Sequence, residues 1–247
     1  MAYEKAFHGW SKTPFSRILP QLRHDLFYRL INMDVDGLED VGRSEWKCNW
    51  MVRTADLNAS SVVYAAGVGR DIAFEHELAD RFGCEILLID PSPTGLETME
   101  RQEHVRPEFK AVHKALAGHD GDLNLAPPHD EDEGSWVSMV DENPSGIVQE
   151  NTIKVPCITI KSLMREFGHE SIDLLKIDIE GAEYGVLEAI MESGVSIKQI
   201  AVEYHNKVIP GFTAKQTMAS LIRLYRLGYR LIYKHGSNHT LLLKSAV

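Results

Sequence analysis

The chain has 247 residues, of which 44% are hydrophobic and 25% charged, a balance typical of a globular protein with a sizeable core. Lys and Arg number 26 against 36 Asp and Glu, which gives a formal net charge of −10. This excess of acid argues against a protein that mainly binds nucleic acid or anionic lipid. Because many α/β folds of this length are single domains, one main domain is the simplest expectation.

The sequence shows no membrane span, signal peptide or paired cysteines, and these features bear on the compartment of the protein and the redox state of its cysteines. No apolar stretch is long enough for a membrane span, and residues 1–20 do not resemble a signal peptide. Cys48, Cys84 and Cys157 are far apart and form no C-x-x-C pair, so neither a disulfide framework nor a thiolate zinc site is expected. We predict a cytoplasmic protein with reduced cysteines and no stable membrane insertion.

Residues 1–57 are predicted to form an N-terminal helical cap region, followed by the main domain over residues 58–247. Leu22, Leu26 and Leu30 recur every four residues after Pro20, which suits the first position of a helix. The spacing predicts an amphipathic helix whose leucine face packs on the main domain.

The main domain begins with a strand, a helix and a second strand. Residues 62–66 are a short apolar run that ends at Gly67, which predicts a buried strand. Residues 71–82 carry apolar side chains at helical spacing and are followed by Gly83, a common helix end. Residues 86–89 are a second apolar run. This order predicts a βαβ unit with a parallel sheet.

The rest of the chain continues the alternation of strands and helices. We predict further strands over residues 109–115, 172–178, 197–204, 229–233 and 240–243, with helices after the second and third of these. The last two strands flank a turn so short that they can only be antiparallel neighbours. The pattern therefore predicts an α/β fold with a doubly wound, mostly parallel sheet whose last strand is reversed.

Residues 118–151 differ in composition from the segments around them, because they are rich in Gly, Pro, Asp and Glu. We predict a long loop, which in a compact domain is usually functional or mobile. Trp136 and Met139 lie inside it, and an aromatic side chain there could cover a ligand. A solvated surface excursion is the alternative.

The turn after the first strand of the main domain reads AAGVGRD, residues 65–71. Gly67 and Gly69 let a ligand approach the backbone closely. A dinucleotide fingerprint would need a third glycine where Ile72 stands, and a phosphate-binding P-loop would need Gly-Lys-Ser/Thr. The turn therefore favours a nucleoside-like ligand without a pyrophosphate, although tight turns of any kind use glycine.

Acidic residues follow the strands of the predicted sheet. Asp90, at the carboxyl end of the second strand, is expected to accept hydrogen bonds from ribose hydroxyls, with helix capping as the alternative. S-adenosyl-L-methionine has a ribose and a cationic sulfonium but no phosphate, so carboxylates at the strand ends suit it. We predict this compound as the cofactor. The candidate contacts are Gly67, Gly69, Asp71, Asp90, Ala115, Asp178 and Glu180.

A second group of ionisable residues follows the strands at 172–178 and 197–204. Asp178 and Glu180 come after the first of these, and Glu203 and His205 end the second, at the same rim of the sheet. Lys176 shares a face with Asp178, so an ion pair between the two is its simplest explanation. The four rim groups could offer ligands to a divalent ion, but their spacing is not diagnostic and we assign no metal ligand.

Two motifs carry a family resemblance. Residues 172–183, IDLLKIDIEGAE, and residues 155–163, VPCITIKSL, resemble the hallmark and lead-in segments of the FkbM-like family of class I S-adenosylmethionine-dependent methyltransferases. The resemblance implies a Rossmann-like fold with a seven-stranded sheet, the class I methyltransferase fold. It also implies O-methylation of a hydroxyl on a sugar, glycolipid or secondary metabolite, with a small-molecule or saccharide acceptor.

A hydroxyl acceptor must lose its proton as the methyl group is transferred. Asp178 or His205 is the candidate general base, with a simple hydrogen-bonded rim histidine as the alternative for His205. Two other functions stay open. One is an NAD- or nucleotide-sugar-dependent oxidoreductase, against which Ile72 counts, and the other is a non-catalytic binding or interaction module, against which the rim acids count.

Overall fold

The computed structural model describes residues 25–45, 48–128, 134–139, 151–206 and 212–246. The helices are α1 (residues 25–31), α2 (Ala73–Phe82), α3 (Pro93–Glu100), α4 (Ile160–Phe167), α5 (Glu183–Ser193) and α6 (Ala214–Arg226). The strands are β1 (Leu38–Val41), β2 (Trp50–Arg53), β3 (Val62–Ala66), β4 (Glu85–Ile89), β5 (Phe109–Val112), β6 (Ala115–Leu116), β7 (Gly121–Ala126), β8 (Val137–Met139), β9 (Ile153–Ile158), β10 (Ser171–Ile177), β11 (Ser196–Glu203), β12 (Tyr229–His235) and β13 (Asn238–Leu243).

A seven-stranded sheet forms the centre of the structure, with the strand order β12-β13-β11-β10-β3-β4-β5. Strand β13 runs antiparallel to both of its neighbours, while the pairs from β11 through to β5 are parallel. The predicted α/β fold with a large, mostly parallel sheet is confirmed.

Both faces of this sheet are covered. Buried side chains of α4, α5 and α6 form one apolar cluster with it, and those of α2 and α3 form another together with β1 and β2. A strand covered on both faces is apolar along its whole length, which explains the uninterrupted run of residues 62–66. Helix α2 ends at Gly83, which adopts the left-handed conformation, as its sequence predicts.

Helix α1 packs through a different face from the predicted one. Phe27 and Ile31 pack on the central core, whereas Leu26 and Leu30 are 59% and 66% exposed. The predicted packing is therefore wrong for these two leucines, and Leu22 lies outside the described residues. The leucine spacing predicted the helix but not which side of it meets the sheet.

The region over residues 1–57, predicted as a helical cap, is only partly helical where the structure describes it. Strands β1 and β2 pair antiparallel in a small sheet of their own. Val41, Trp50 and Val52 are buried in the cluster beneath α2. This sheet therefore packs on the main domain.

Residues 118–151 contain strands where a loop was predicted. Strands β7 and β8 belong to a four-stranded sheet with the order β6-β9-β7-β8. In β7, Leu125 is buried, whereas the neighbouring Asp122 and Asn124 are exposed. One face of this strand is solvated, so its polar composition predicts a loop although a strand is present. Residues 129–133 and 140–150 lie outside the described part of the chain. No helix among the described residues is long and apolar enough to cross a membrane.

Candidate active site

A cleft of about 290 Å³ lies at the carboxyl ends of β3, β4 and β10, where ligands bind in open α/β sheets. It brings together all of the residues predicted to contact the cofactor. These are Gly67, Gly69, Asp71, Asp90, Ala115, Asp178 and Glu180. Chain segments more than 100 residues apart therefore meet in one cavity.

The two glycines of the turn after β3 have different roles. Gly67 has a φ of +88°, and a Cβ there would lie 1.7 Å from the backbone oxygen of Asp178. Gly69 has a φ of +57°, but a Cβ there would meet no heavy atom within 4 Å. Gly67 thus permits the close approach of the chain after β10, while Gly69 leaves space open at the wall of the cleft.

This difference predicts unequal effects of alanine at the two positions. Gly67→Ala should destabilise the protein by about 2–4 kcal/mol, since a left-handed conformation and a steric clash combine. Gly69→Ala is the matched control and should cost about 1–2 kcal/mol, because only the backbone conformation is unfavourable. Urea unfolding followed by circular dichroism measures both values. Equal losses would show that the contact with Asp178 is unimportant.

The carboxylate of Asp90 stabilises the glycine turn through hydrogen bonds. Its Oδ2 accepts hydrogen bonds from the backbone N–H groups of Val68 and Gly69 at 3.0 and 3.1 Å, and its Oδ1 accepts one from Ser92 at 2.8 Å. A carboxylate has about four acceptor positions, so one remains for a ligand hydroxyl. Asp90 therefore both positions the turn and keeps the capacity to bind a ribose.

Lys176 also holds this turn, with a partner other than the predicted one. Its ammonium donates to the backbone oxygen of Gly67 at 2.7 Å and lies 3.3 Å from Oε1 of Glu75. The predicted ion pair with Asp178 is replaced by this contact with α2. Burial by itself would lower the pKa of Lys176, but Glu75 and Asp178 outweigh burial and raise it. The ammonium is therefore charged and serves as a buried support.

Asp71 and Cys48 form another part of the cleft wall. Asp71 accepts a hydrogen bond from the backbone N–H of Ala73 at 2.9 Å, at the start of α2, and another from the hydroxyl of Ser44. Burial raises the pKa of Cys48 to about 11, so its thiol is not ionised at neutral pH. Cys48 therefore serves as wall and not as a nucleophile.

The described residues 134–139 reach over the cleft. Trp136 lines it, and Met139 does not. The backbone N–H of Ser138 donates to the carbonyl of Glu180 at 3.0 Å, and its hydroxyl donates to the carbonyl of Ile179 at 3.2 Å. These bonds attach β8 to the segment after β10, which places the aromatic ring of Trp136 on the cleft wall.

An acidic cluster surrounds His205 at the edge of the cleft. Its Nε2 lies 3.3 Å from Oε2 of Glu180 and 3.7 Å from Oδ1 of Asp178, and its Nδ1 lies 3.5 Å from Oε1 of Glu183. Glu183 is fully buried and accepts hydrogen bonds from the backbone N–H groups of Gly181 and His205. The ends of β10 and β11 are thereby tied together.

The electrostatics of this cluster depend on burial. Burial by itself would lower the pKa of His205, but the carboxylates around the ring outweigh it and raise that pKa to about 9. Burial, with the nearby Asp178, raises the pKa of Glu203 to about 7. Burial likewise raises the pKa of Glu180. The imidazole is therefore protonated at neutral pH when no cation is bound nearby.

A family comparison agrees with this geometry. The model of the methyltransferase FkbM domain matches residues 53–231, which is more than half of the chain. The chain belongs to the FkbM methyltransferase family. The match includes the strands that border the cleft or the cluster around His205, namely β3, β4, β6, β7, β8, β10 and β11.

Two curated relatives carry the same kind of name. The probable methyltransferase-like protein 24 of Rattus norvegicus is 30% identical over 198 residues, which is 75% of this chain and 46% of the relative. The probable methyltransferase-like protein 24 of Homo sapiens is 29% identical over 171 residues, which is 68% of this chain and 38% of the relative. The chain spans less than half the length of both relatives.

Three structural contributors to this FkbM methyltransferase site were missed by sequence reasoning. Glu75 lies in the first turn of α2, where an acidic residue is typical of an exposed helix surface. Ser138 lies in the segment that was predicted to be a loop. Glu183 lies at the start of α5, where an acidic residue ordinarily favours the positive helix end, but it is fully buried and accepts hydrogen bonds from two backbone N–H groups. A charged residue inside an apolar strand, Lys176, was the one signal that a buried partner such as Glu75 must exist.

Proposed function

We propose that this protein is an S-adenosyl-L-methionine-dependent methyltransferase that methylates a hydroxyl oxygen of a small-molecule or saccharide acceptor. The observation that carries the proposal is the set of carboxylates around the cleft of a family methyltransferase. Asp71, Asp90, Asp178 and Glu180 line it. They suit a ligand with a positive charge and no phosphate.

Two cationic side chains, Arg70 and Lys176, also border the cleft, but they do not make it suited to a phosphate-bearing ligand. The ammonium of Lys176 is engaged by Glu75 and by the carbonyl of Gly67. Arg70 lies at the outer, exposed part of the turn. Four carboxylates against these two groups leave the walls of the cleft acidic.

The residues present fit the proposed cofactor. Gly69 leaves open space at the wall, and Asp90 has one acceptor position left for a ribose hydroxyl. Bound there, S-adenosyl-L-methionine would supply an electrophilic methyl group on a sulfonium. The chain contributes orientation and charge, which in methyl transfer account for most of the catalysis expected of the protein.

Asp178 is the better placed of the two candidate bases. It lines the cleft and its side chain is 33% exposed, whereas His205 is 5% exposed and does not line the cleft. We assign to Asp178 the removal of the acceptor's proton. His205, buried next to Asp178, is a positioning residue.

Calorimetry on the full chain tests the cofactor. We expect S-adenosyl-L-methionine and S-adenosylhomocysteine to bind one per chain and NAD to bind far more weakly. Incubating a cell extract with the protein and a deuterated-methyl cofactor, followed by mass spectrometry, then identifies the acceptor. Tightest binding of NAD would favour the oxidoreductase, against which the buried position of Ile72 in the core counts. No binding of any of the three would favour the non-catalytic module.

Asp90→Ala should weaken cofactor binding by about 1–3 kcal/mol, because ligand hydroxyls and the N–H groups of the turn would lose their acceptor. The matched control is Asp34→Ala, at an exposed carboxylate away from the cleft, which should bind as the unmodified protein does. Calorimetry measures both affinities. An unchanged affinity in Asp90→Ala would remove Asp90 from the proposed site.

A further inference from the structure

Three side chains next to the cleft present ligand atoms to a common point. Asp178, Glu203 and His205 each offer one such atom, and all of these atoms lie within 4.8 Å of one another. Asp178 follows β10, while Glu203 ends β11 and His205 lies just beyond it. The parallel pairing of these two strands brings their carboxyl ends to the same rim.

The orientation of His205 is the second and independent observation. The side chain is 6% exposed, and its buried Nδ1 makes no hydrogen bond of normal geometry. Nδ1 faces the buried carboxylate of Glu183 at 3.5 Å, and Nε2 faces the acidic cluster. A metal-ligating histidine typically has this arrangement, with one ring nitrogen directed at a carboxylate and the other at the ion.

A single imidazole can balance at most one of the carboxylates that surround it. Asp178, Glu180, Glu183 and Glu203 lie around the single imidazole, and Glu183 is fully buried. Carboxylates held together away from water repel one another and lose hydration. A divalent ion would offset both costs at once.

We propose that Asp178, Glu203 and His205 form a binding site for one divalent transition-metal ion. Two carboxylate oxygens and one imidazole nitrogen are a mixed hard and borderline donor set, which suits Mn²⁺ or Zn²⁺ better than the all-oxygen environment that Mg²⁺ and Ca²⁺ prefer. The part that the ion plays in catalysis rests on the proposed function, whereas its binding rests on the geometry alone.

Of the three proposed ligands, Asp178 lines the cleft. An ion bound to it would lower the pKa of an acceptor hydroxyl that lies next to Asp178. One oxygen of Asp178 would bind the ion and the other would accept the hydroxyl proton. In the proposed transfer, the bond between sulfur and the methyl carbon would break as the bond between that carbon and the acceptor oxygen forms, and S-adenosylhomocysteine would leave as a neutral thioether. No oxidant or reductant is needed.

Titration of the EDTA-treated full chain with MnCl₂, followed by electron paramagnetic resonance of the free ion, tests the site. We expect saturable binding of one Mn²⁺ per chain. Glu203→Gln and His205→Gln should each weaken binding at least tenfold, while Glu103→Gln, at an exposed carboxylate far from the site, should leave it unchanged. Circular dichroism establishes that each variant is folded.

Glu183→Gln provides a readout of positioning. The amide keeps an acceptor oxygen for the backbone N–H groups but loses the charge facing Nδ1, so Mn²⁺ affinity should fall by roughly 10–100-fold. Absence of saturable Mn²⁺ binding, or equal affinity in the unmodified chain, Glu203→Gln and His205→Gln, would overturn the site. Calorimetry with S-adenosyl-L-methionine in EDTA tests the proposed function separately, because we expect the cofactor to bind without the ion through the glycine turn and Asp90.

Discussion

Replacing Glu75 with Leu should destabilise the protein by about 3–5 kcal/mol, because it would leave the ammonium of Lys176 buried without its partner. Both side chains are almost fully buried, and Lys176 also holds the carbonyl of Gly67 in the turn beside the cleft. Urea unfolding followed by circular dichroism gives the free energy of unfolding. The same variant should bind S-adenosyl-L-methionine more weakly, because the turn loses its support.

Two further variants show whether the unpaired charge causes this loss. Glu75→Leu combined with Lys176→Met should recover a large part of the stability, since no charge is left in the core. Glu188→Gln, in an exposed pair with Arg223, should leave stability nearly unchanged. If the double variant unfolds as easily as Glu75→Leu alone, the loss comes from packing and not from charge.

Replacing Asp178 with Asn should lower turnover by roughly 10²–10⁴-fold, the range expected when a positioned group that removes a proton is lost. Asparagine has nearly the same size as aspartate. The backbone N–H of residue 178 donates to the carbonyl of Ala66, and its backbone oxygen lies next to Gly67, so neither contact involves the carboxylate. We therefore expect the affinity for S-adenosyl-L-methionine to change only a few-fold. Transfer of a labelled methyl group to the identified acceptor measures turnover, and calorimetry measures affinity.

The control for this experiment is Asp122→Asn, at an exposed aspartate on β7 that should not affect turnover. His205→Gln should lower turnover, with cofactor affinity kept, because His205 orients Asp178. Normal turnover in Asp178→Asn would place the proton acceptor elsewhere, with Glu180 as the nearest cleft carboxylate. Normal turnover in both variants would also argue against a catalytic part for the proposed metal ion.

Sequence patterns predicted the central elements well because those elements obey local rules. The apolar run at 62–66 and the helix that ends at Gly83 are both present in the structure. Each depends on the residue's own backbone preference or on neighbours a few positions away. The glycine turn and the acids at the strand ends were predicted for the same reason.

The faces of the amphipathic helices were harder to predict. In α6, the large apolar side chains of Ile222 and Tyr225 are exposed, whereas the smaller Thr217 and Ser220 are buried. In α1 the leucines face outward. Periodicity identifies a helix, but several stripes on it can meet a core, and the shape of the neighbouring elements selects among them.

Local chemistry in the chain was sufficient to establish the α/β class, the family resemblance and the residues that line the cleft, because strand ends in a parallel sheet share one edge. Packing between distant segments established the rest. It gave Lys176 its partner on α2, enclosed His205 among four carboxylates and placed residues 134–139 over the cleft. Such contacts join residues far apart in the chain, and burial gives them energies and pKa values that no short stretch of sequence contains.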